Sequence, residues 1–130
     1  MFTHSVGVLY KDDAGTISST THSYVDDTEY GVKETIVAGA VNKEIDIALT
    51  VANLKSLVLF SDQAVTLKTN STSSPQDTIA MQASKEIVWT TDGAAGGAIP
   101  FAGNITKFYV SNAGTKDANF QFRALSHQGV

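Results

Sequence analysis

Apolar and polar positions alternate with a period of two through much of the chain, as expected of strands with one face toward a core and the other toward water. Phe2, His4, Val6, Val8 and Tyr10 alternate with Thr3, Ser5, Gly7 and Leu9. Lys11-Asp12-Asp13-Ala14-Gly15 then supplies turn residues, and a Ser/Thr-rich strand resumes over 16–25. An Asp-rich, glycine-bearing link between two alternating runs predicts a hairpin. Asp26-Asp27-Thr28-Glu29 is the next link. It precedes a strand over 32–38 in which Val32, Glu34, Ile36 and Ala38 share a face.

The alternation is cleanest over 43–50, with Ile45, Ile47 and Leu49 on one side and Glu44, Asp46 and Ala48 on the other. Val51-Ala52-Asn53-Leu54 predicts a short helical turn. Leu57-Val58-Leu59-Phe60 is a continuous apolar run, read as a strand buried on both faces. A strand over 64–70 follows after Asp62-Gln63, a spacing that allows a tight hairpin, with Val65 and Leu67 inward. Pro75 forbids a central strand within the polar loop 70–76. Strands over 77–82 and 85–90 carry Ile79, Met81, Ile87 and Trp89, and the glycine-rich stretch 92–101 is a loop. Strands over 105–111 and 118–125 close the pattern, and the tail, 126–130, is expected to fray. About eight to ten short strands at roughly ten-residue spacing, with no amphipathic helix, predict an all-β fold. The expected architecture is a single antiparallel β-sandwich, with the jelly roll as a candidate topology.

Composition narrows the picture. A chain of 130 residues is one domain's length, residues 1–130, and 42% hydrophobic residues can fill its core. Charged residues are only 17%, against roughly 25% in typical globular chains. Ser and Thr, about a fifth of the sequence, take their places on the outer faces. Such a surface suits a domain packed among neighbours. The net charge is −4, and nine basic residues form no stripe, so no nucleic-acid partner is expected. The absence of cysteine excludes disulfides, thiolate zinc sites and a cysteine nucleophile. No apolar run approaches the length of about 18 residues that a membrane helix requires, and no secretory leader is recognisable at the start of the chain.

Residues with catalytic or metal-binding chemistry are sparse. His4 and His22 fall on the first two strands and hint at a two-histidine metal site, but neither a third ligand nor a supporting shell is nominated. The plainer reading is two polar-sheet histidines, with His127 solvated in the tail. Acidic pairs at Asp12-Asp13, Asp26-Asp27-Glu29 and Glu44/Asp46 lack the oxygen-ligand spacing of an EF-hand and read as turn formers and solubilisers. There is no Gly-x-Ser-x-Gly elbow and no phosphate loop. No metal, cofactor or catalytic residue is therefore assigned. Trp89 reads as core rather than as a ligand platform. Ile99-Pro100-Phe101 ends the glycine-rich loop with an apolar triplet, which either plugs the domain's own core or docks on a partner. Asn70-Ser71-Thr72 and Asn104-Ile105-Thr106 match the glycosylation pattern but lack a secretory context.

A resemblance adds a function to this profile. Its residues are Glu34-Thr35-Ile36 and Asn42-Lys43-Glu44, then Val65-Thr66-Leu67-Lys68-Thr69-Asn70-Ser71 running to Ser74-Pro75-Gln76-Asp77-Thr78-Ile79. Lys85-Glu86-Ile87-Val88-Trp89-Thr90 and Phe108-Tyr109-Val110-Ser111-Asn112-Ala113 complete it. Through these segments the chain resembles small structural proteins of tailed bacteriophages, and capsid cement (decoration) proteins in particular. The resemblance implies a non-enzymatic β-sandwich that trimerises on the outer surface of the capsid and fastens major capsid protein subunits together. Cement proteins work by many weak contacts multiplied by symmetry, which a Ser/Thr-rich surface can supply. Residues 1–10, including Phe2, are then candidates for a strand-exchanging arm, and Ile99, Pro100 and Phe101 for docking on a capsid subunit. A tail or baseplate component, or a carbohydrate- or receptor-binding sandwich, is the alternative. Aromatic residues at 8%, most of them at inward positions, count against a sugar-stacking face.

Overall fold

In the computed structural model, which describes residues 1–127, ten strands and one short helical turn account for the chain. β1 (Phe2–Asp12) and β2 (Gly15–Asp26) form a two-stranded hairpin. The other strands are β3 (Thr28–Ile36), β4 (Lys43–Leu49), β5 (Leu54–Ser61), β6 (Val65–Thr69), β7 (Thr78–Met81), β8 (Ile87–Thr90), β9 (Ile105–Ser111) and β10 (Ala118–Ser126). They pair as one long antiparallel ribbon: β3 with β10, β4 with β9, β5 with β8 and β6 with β7. The ribbon is rolled so that β10 also meets β5 and β9 also meets β6. Two four-stranded sheets result, β3-β10-β5-β8 and β4-β9-β6-β7. This is the winding of a jelly roll, and the antiparallel sandwich expected from the sequence is what forms.

The period-two pattern explains the core. Leu57 and Leu59 of β5, Phe120, Phe122 and Ala124 of β10, and Ile36 of β3 point from one sheet. Ile45 and Leu49, Val65 and Leu67, and Phe108 and Val110 answer from the other. Phe101, Phe108, Phe120 and Phe122 stack at centroid separations of 5.2–6.3 Å, mostly edge-to-face. Edge-to-face packing is the arrangement that ring quadrupoles favour. Trp89 packs against this cluster, as a core residue should.

Several expectations change. Phe101 is 2% exposed and contacts Phe108 and Phe122, so it plugs its own core and cannot dock on a partner. The run 57–60 is not equally buried on both faces: Val58 and Phe60 point outward and are half-buried. The tail does not fray from 126 onward. Ser126 is buried in β10, and the His127 N–H donates to the Asn53 carbonyl at 2.9 Å. Residues 128–130 lie outside the described residues. Residues 1–10 are not a loose arm, because β1 pairs with β2 along its full length.

The loop between β6 and β7 is a turn-fixing knot. The Thr69 hydroxyl donates to Asp77 at 3.0 Å and accepts the Asp77 N–H at 2.9 Å. Asp77 also receives the Ala102 N–H at 3.1 Å. Asn70, at a positive φ of 67°, donates to the Asn104 carbonyl and accepts the Thr106 N–H. Those residue types are needed where they stand because each satisfies main-chain groups that leave the ladder.

Candidate functional site

The hairpin is the one element outside the jelly roll, and it lies as a third layer across the outer face of the β3-β10-β5-β8 sheet. Register defines the ground it covers. Glu29, Leu125, Ser56 and Thr90 form a row across that sheet on the face turned away from the core. Leu125 is fully buried yet stands apart from the inter-sheet cluster, and Ser56 is buried as well. The hairpin is the layer on that face and accounts for both.

Alternation in β1 turns His4, Val6 and Val8 toward the body and leaves Thr3, Ser5, Gly7 and Leu9 outward. His4 is the central fastener. Its Nε2 lies 3.1 Å from Glu29 Oε2, and its Nδ1 lies 3.2 Å from the Ser56 hydroxyl. Arg123 reaches the other Glu29 oxygen at 3.3 Å, crossing Gly31, where a Cβ would stand 2.7 Å from its Nη1. Glycine at 31 therefore keeps the path of the guanidinium open. On β2, the Tyr24 hydroxyl donates to Asp92 at 2.8 Å. Asp92 also takes the Ala94 N–H and the Thr90 hydroxyl, and these bonds, led by that of Ala94, hold its carboxyl below the usual range. Burial pushes the Tyr24 phenol up.

A second fastener sits at the base of the hairpin. His127 Nδ1 lies 2.8 Å from Asp26 Oδ1 and 3.7 Å from Asp27. Its hydrogen bond is the main reason the Asp26 carboxyl is held below its ordinary value. Asp26, Asp27 and His127 bring one ligand atom each within 4.8 Å of one another, which is the grouping that a cation would need. Asp26 Oδ1 already accepts both the Asp27 N–H and the His127 contact, so the arrangement works as a closed latch.

The sequence-nominated residues fare unevenly. His4 pairs with Tyr24 and His22 with Val6, so the two histidines do not face each other across the hairpin. His22 instead lies 3.3 Å from the Thr20 hydroxyl. His127 is bonded, not merely solvated. Phe2 is 44% exposed on the hairpin, while Ile99 and Pro100 are half-buried and Ile99 packs against the core. Ser56, Arg123, Tyr24 and Asp92 were missed, and Glu29 was read only as a turn former and solubiliser. Their partners are 25 to 94 positions away or across a layer boundary, and only the alternation of His4 with Val6 and Val8 pointed toward them.

Beyond its docked half the hairpin stands free. The described side chains from Leu9 through Thr21 are exposed, among them Leu9 at 65% and Tyr10 at 62%. The Asp13-Ala14 turn at the tip is fixed by the Ala14 N–H donating to Asp12.

Comparison with known proteins adds little to this geometry. No protein-family profile matches the chain, and no curated protein matches it. Among solved structures, the Schizosaccharomyces pombe Cnp3 cupin domain is similar, at 10% sequence identity and a TM-score of 0.43. That match covers 95% of this chain and 83% of the cupin chain.

Proposed function

We propose that this protein is a non-enzymatic structural protein of a tailed-bacteriophage virion, a capsid cement protein that binds and stabilises the shell of major capsid protein. The observation that carries the reading is the division of the molecule into a closed jelly-roll body and a projecting hairpin with exposed Leu9 and Tyr10. The phage-like segments noted in the sequence supply the shell as the partner. The polar side chains gathered at the base of the hairpin, Ser56, His4, Glu29 and Arg123, are bonded to one another and hold two layers together. Ser56 lies on a central strand with ladders on both sides, buried beneath His4, a position suited to fastening rather than attack.

In this reading the protein assembles on the capsid's outer surface as a homo-oligomer, with a trimer expected at local symmetry axes. Symmetry multiplies weak contacts into a strong fastening. Co-sedimentation with DNA-emptied capsids tests it, together with the mass in solution. Retention on shells with saturable stoichiometry supports the reading. A monomer that ignores shells and is held by a glycan column contradicts it and favours a carbohydrate-binding sandwich.

A further inference from the structure

We propose that the trough beside the unpaired edge of β1 is an acceptor site for an extended peptide segment, taken up as a third strand of the hairpin. Among the described residues, β1 belongs to a two-stranded sheet and is paired on one edge only. Two cavities of about 430 Å³ and 570 Å³ run beside it, the first along His4 to Gly7 and the second along Val6 to Leu9. They share Val6, Gly7 and Val88, so they form one continuous trough. Consecutive β1 residues from His4 to Leu9 line it whichever way their side chains face, and no β2 residue does, which puts the main-chain edge of β1 at its wall. Six strand residues span about 20 Å, the length of an ordinary strand.

Gly7 lies mid-strand on this edge and keeps that wall of the trough low, with no side chain to stand above it. The opposite wall is also low, because Gly96 and Gly97 carry no side chain and adopt positive φ of 76° and 74°.

The chemistry of the occupant follows from the lining. Val58 and Val88 on the floor, with Val6 on the wall, call for apolar side chains on alternate positions. Arg123 stands at one end beside His4, and Glu86 stands at the other. A guanidinium has five N–H donors, and the contact with Glu29 occupies one side of it. The matching segment is uncharged and alternating at its centre, acidic at the Arg123 end and basic at the Glu86 end. This inference does not depend on the capsid reading. A groove that binds peptide stands even if shells are ignored, and shell binding can be measured with the groove blocked.

The test is a titration of the full chain, followed by amide NMR, with a capped seven-residue peptide of alternating valine and threonine flanked by glutamate and lysine. Saturable shifts confined to Ser5–Leu9, Val58, Val88, Gly96 and Gly97 are expected. A peptide with proline at its central positions should weaken binding at least tenfold. Val88→Glu, which puts a charge on the apolar floor of the trough and leaves the inter-sheet core untouched, should do the same. No saturable shift up to about 1 mM peptide, corresponding to roughly 4 kcal/mol of binding, overturns the proposal. So does binding that is indifferent to Val88→Glu. Concentration-dependent shifts of the same amides without peptide would assign the trough to a second copy and overturn it equally.

Discussion

The jelly-roll body and the hairpin are built from the same alternating pattern, yet they are held by different forces. In the body, alternate residues meet an opposing sheet and vanish from solvent, as Leu59, Phe108, Phe120 and Phe122 do. In the hairpin, His4, Val6 and Val8 meet only the outer face of one sheet, and the described side chains from Leu9 to Thr21 are exposed. A two-stranded hairpin is marginal in water unless something covers it. The hairpin therefore relies on a few polar latches over a small apolar patch around Leu125, whereas the body relies on area. Amphipathic alternation specifies a strand, and the opposing layer decides how firmly that strand is held.

Breaking the body should have the largest effect. Phe101→Ala removes a ring packed against Phe108 and Phe122, and such truncations cost about 3–5 kcal/mol. Thermal or urea unfolding should show the whole chain losing stability, with hairpin and body melting together. Asn112→Ala comes next. Its buried amide donates to the Ile36 and Lys116 carbonyls at 2.9 and 2.8 Å, and leaving such groups unmet costs roughly 1–3 kcal/mol each.

His4→Ala is the contrasting case. It frees Ser56 and Glu29 from the hairpin without touching the inter-sheet core. Hydrogen exchange should accelerate across β1 and β2 while β5 and β10 keep most of their protection, and the melting temperature should fall less than in Phe101→Ala. If both regions lose protection together, the hairpin is part of the body's cooperative unit.

Acid should loosen the hairpin contacts. Asp26 and Asp92, both at hairpin contacts, have folded pKa values below the ordinary 3.8. A lowered carboxylate contributes stability that is complete above its unfolded pKa and is lost as pH falls through the folded one. The latches should therefore hold from neutral pH down to about 4 and weaken below it, and so should the body's contact between Asp62 and Asn119, where bonds from Asn119 hold the carboxyl low. Tyr24 fluorescence is swamped by Trp89, so the Asp26 and Asp92 carboxyl shifts by NMR are the suitable readout. The smallest effect belongs to Lys107 on the exposed face of β9, where Asp46 and then Glu44 push its amine up to about 12. Its raised pKa favours the folded state below the ordinary 10.5, and that support is lost as pH rises through about 12. Lys107→Met should leave unfolding at neutral pH nearly unchanged, because exposed ion pairs are screened by solvent.

Much of the body was legible because its code is local. Ile45, Ile47 and Leu49 declare a face by spacing alone, and the Asp13-Ala14 turn declares the first hairpin. The boundaries that failed are those where a layer, not a neighbour, decides. Asp26-Asp27-Thr28-Glu29 looks like a loop, yet only Asp27 turns, and Thr28 and Glu29 pair with Ser126 and Leu125. Their polarity belongs to a strand face that lies under the hairpin. The tail looked patternless because Ser126 and His127 are satisfied by Asn53 and Asp26, from other elements. Phe101 followed a glycine-rich loop and carried no periodicity, so its direction depended on the Phe108 and Phe122 rings. The latch residues were hidden for the same reason: each contact joins positions far apart in the chain.

The central claim is that a stable jelly roll carries a weakly held hairpin. Native-state hydrogen exchange on the unmodified chain at neutral pH measures this directly. Amides of β5 and β10 should exchange only by global unfolding, those of residues 2–8 and 22–26 through an easier local opening, and those of residues 9–21 fastest of all. Uniform protection across hairpin and body, with a single opening free energy, would contradict the account.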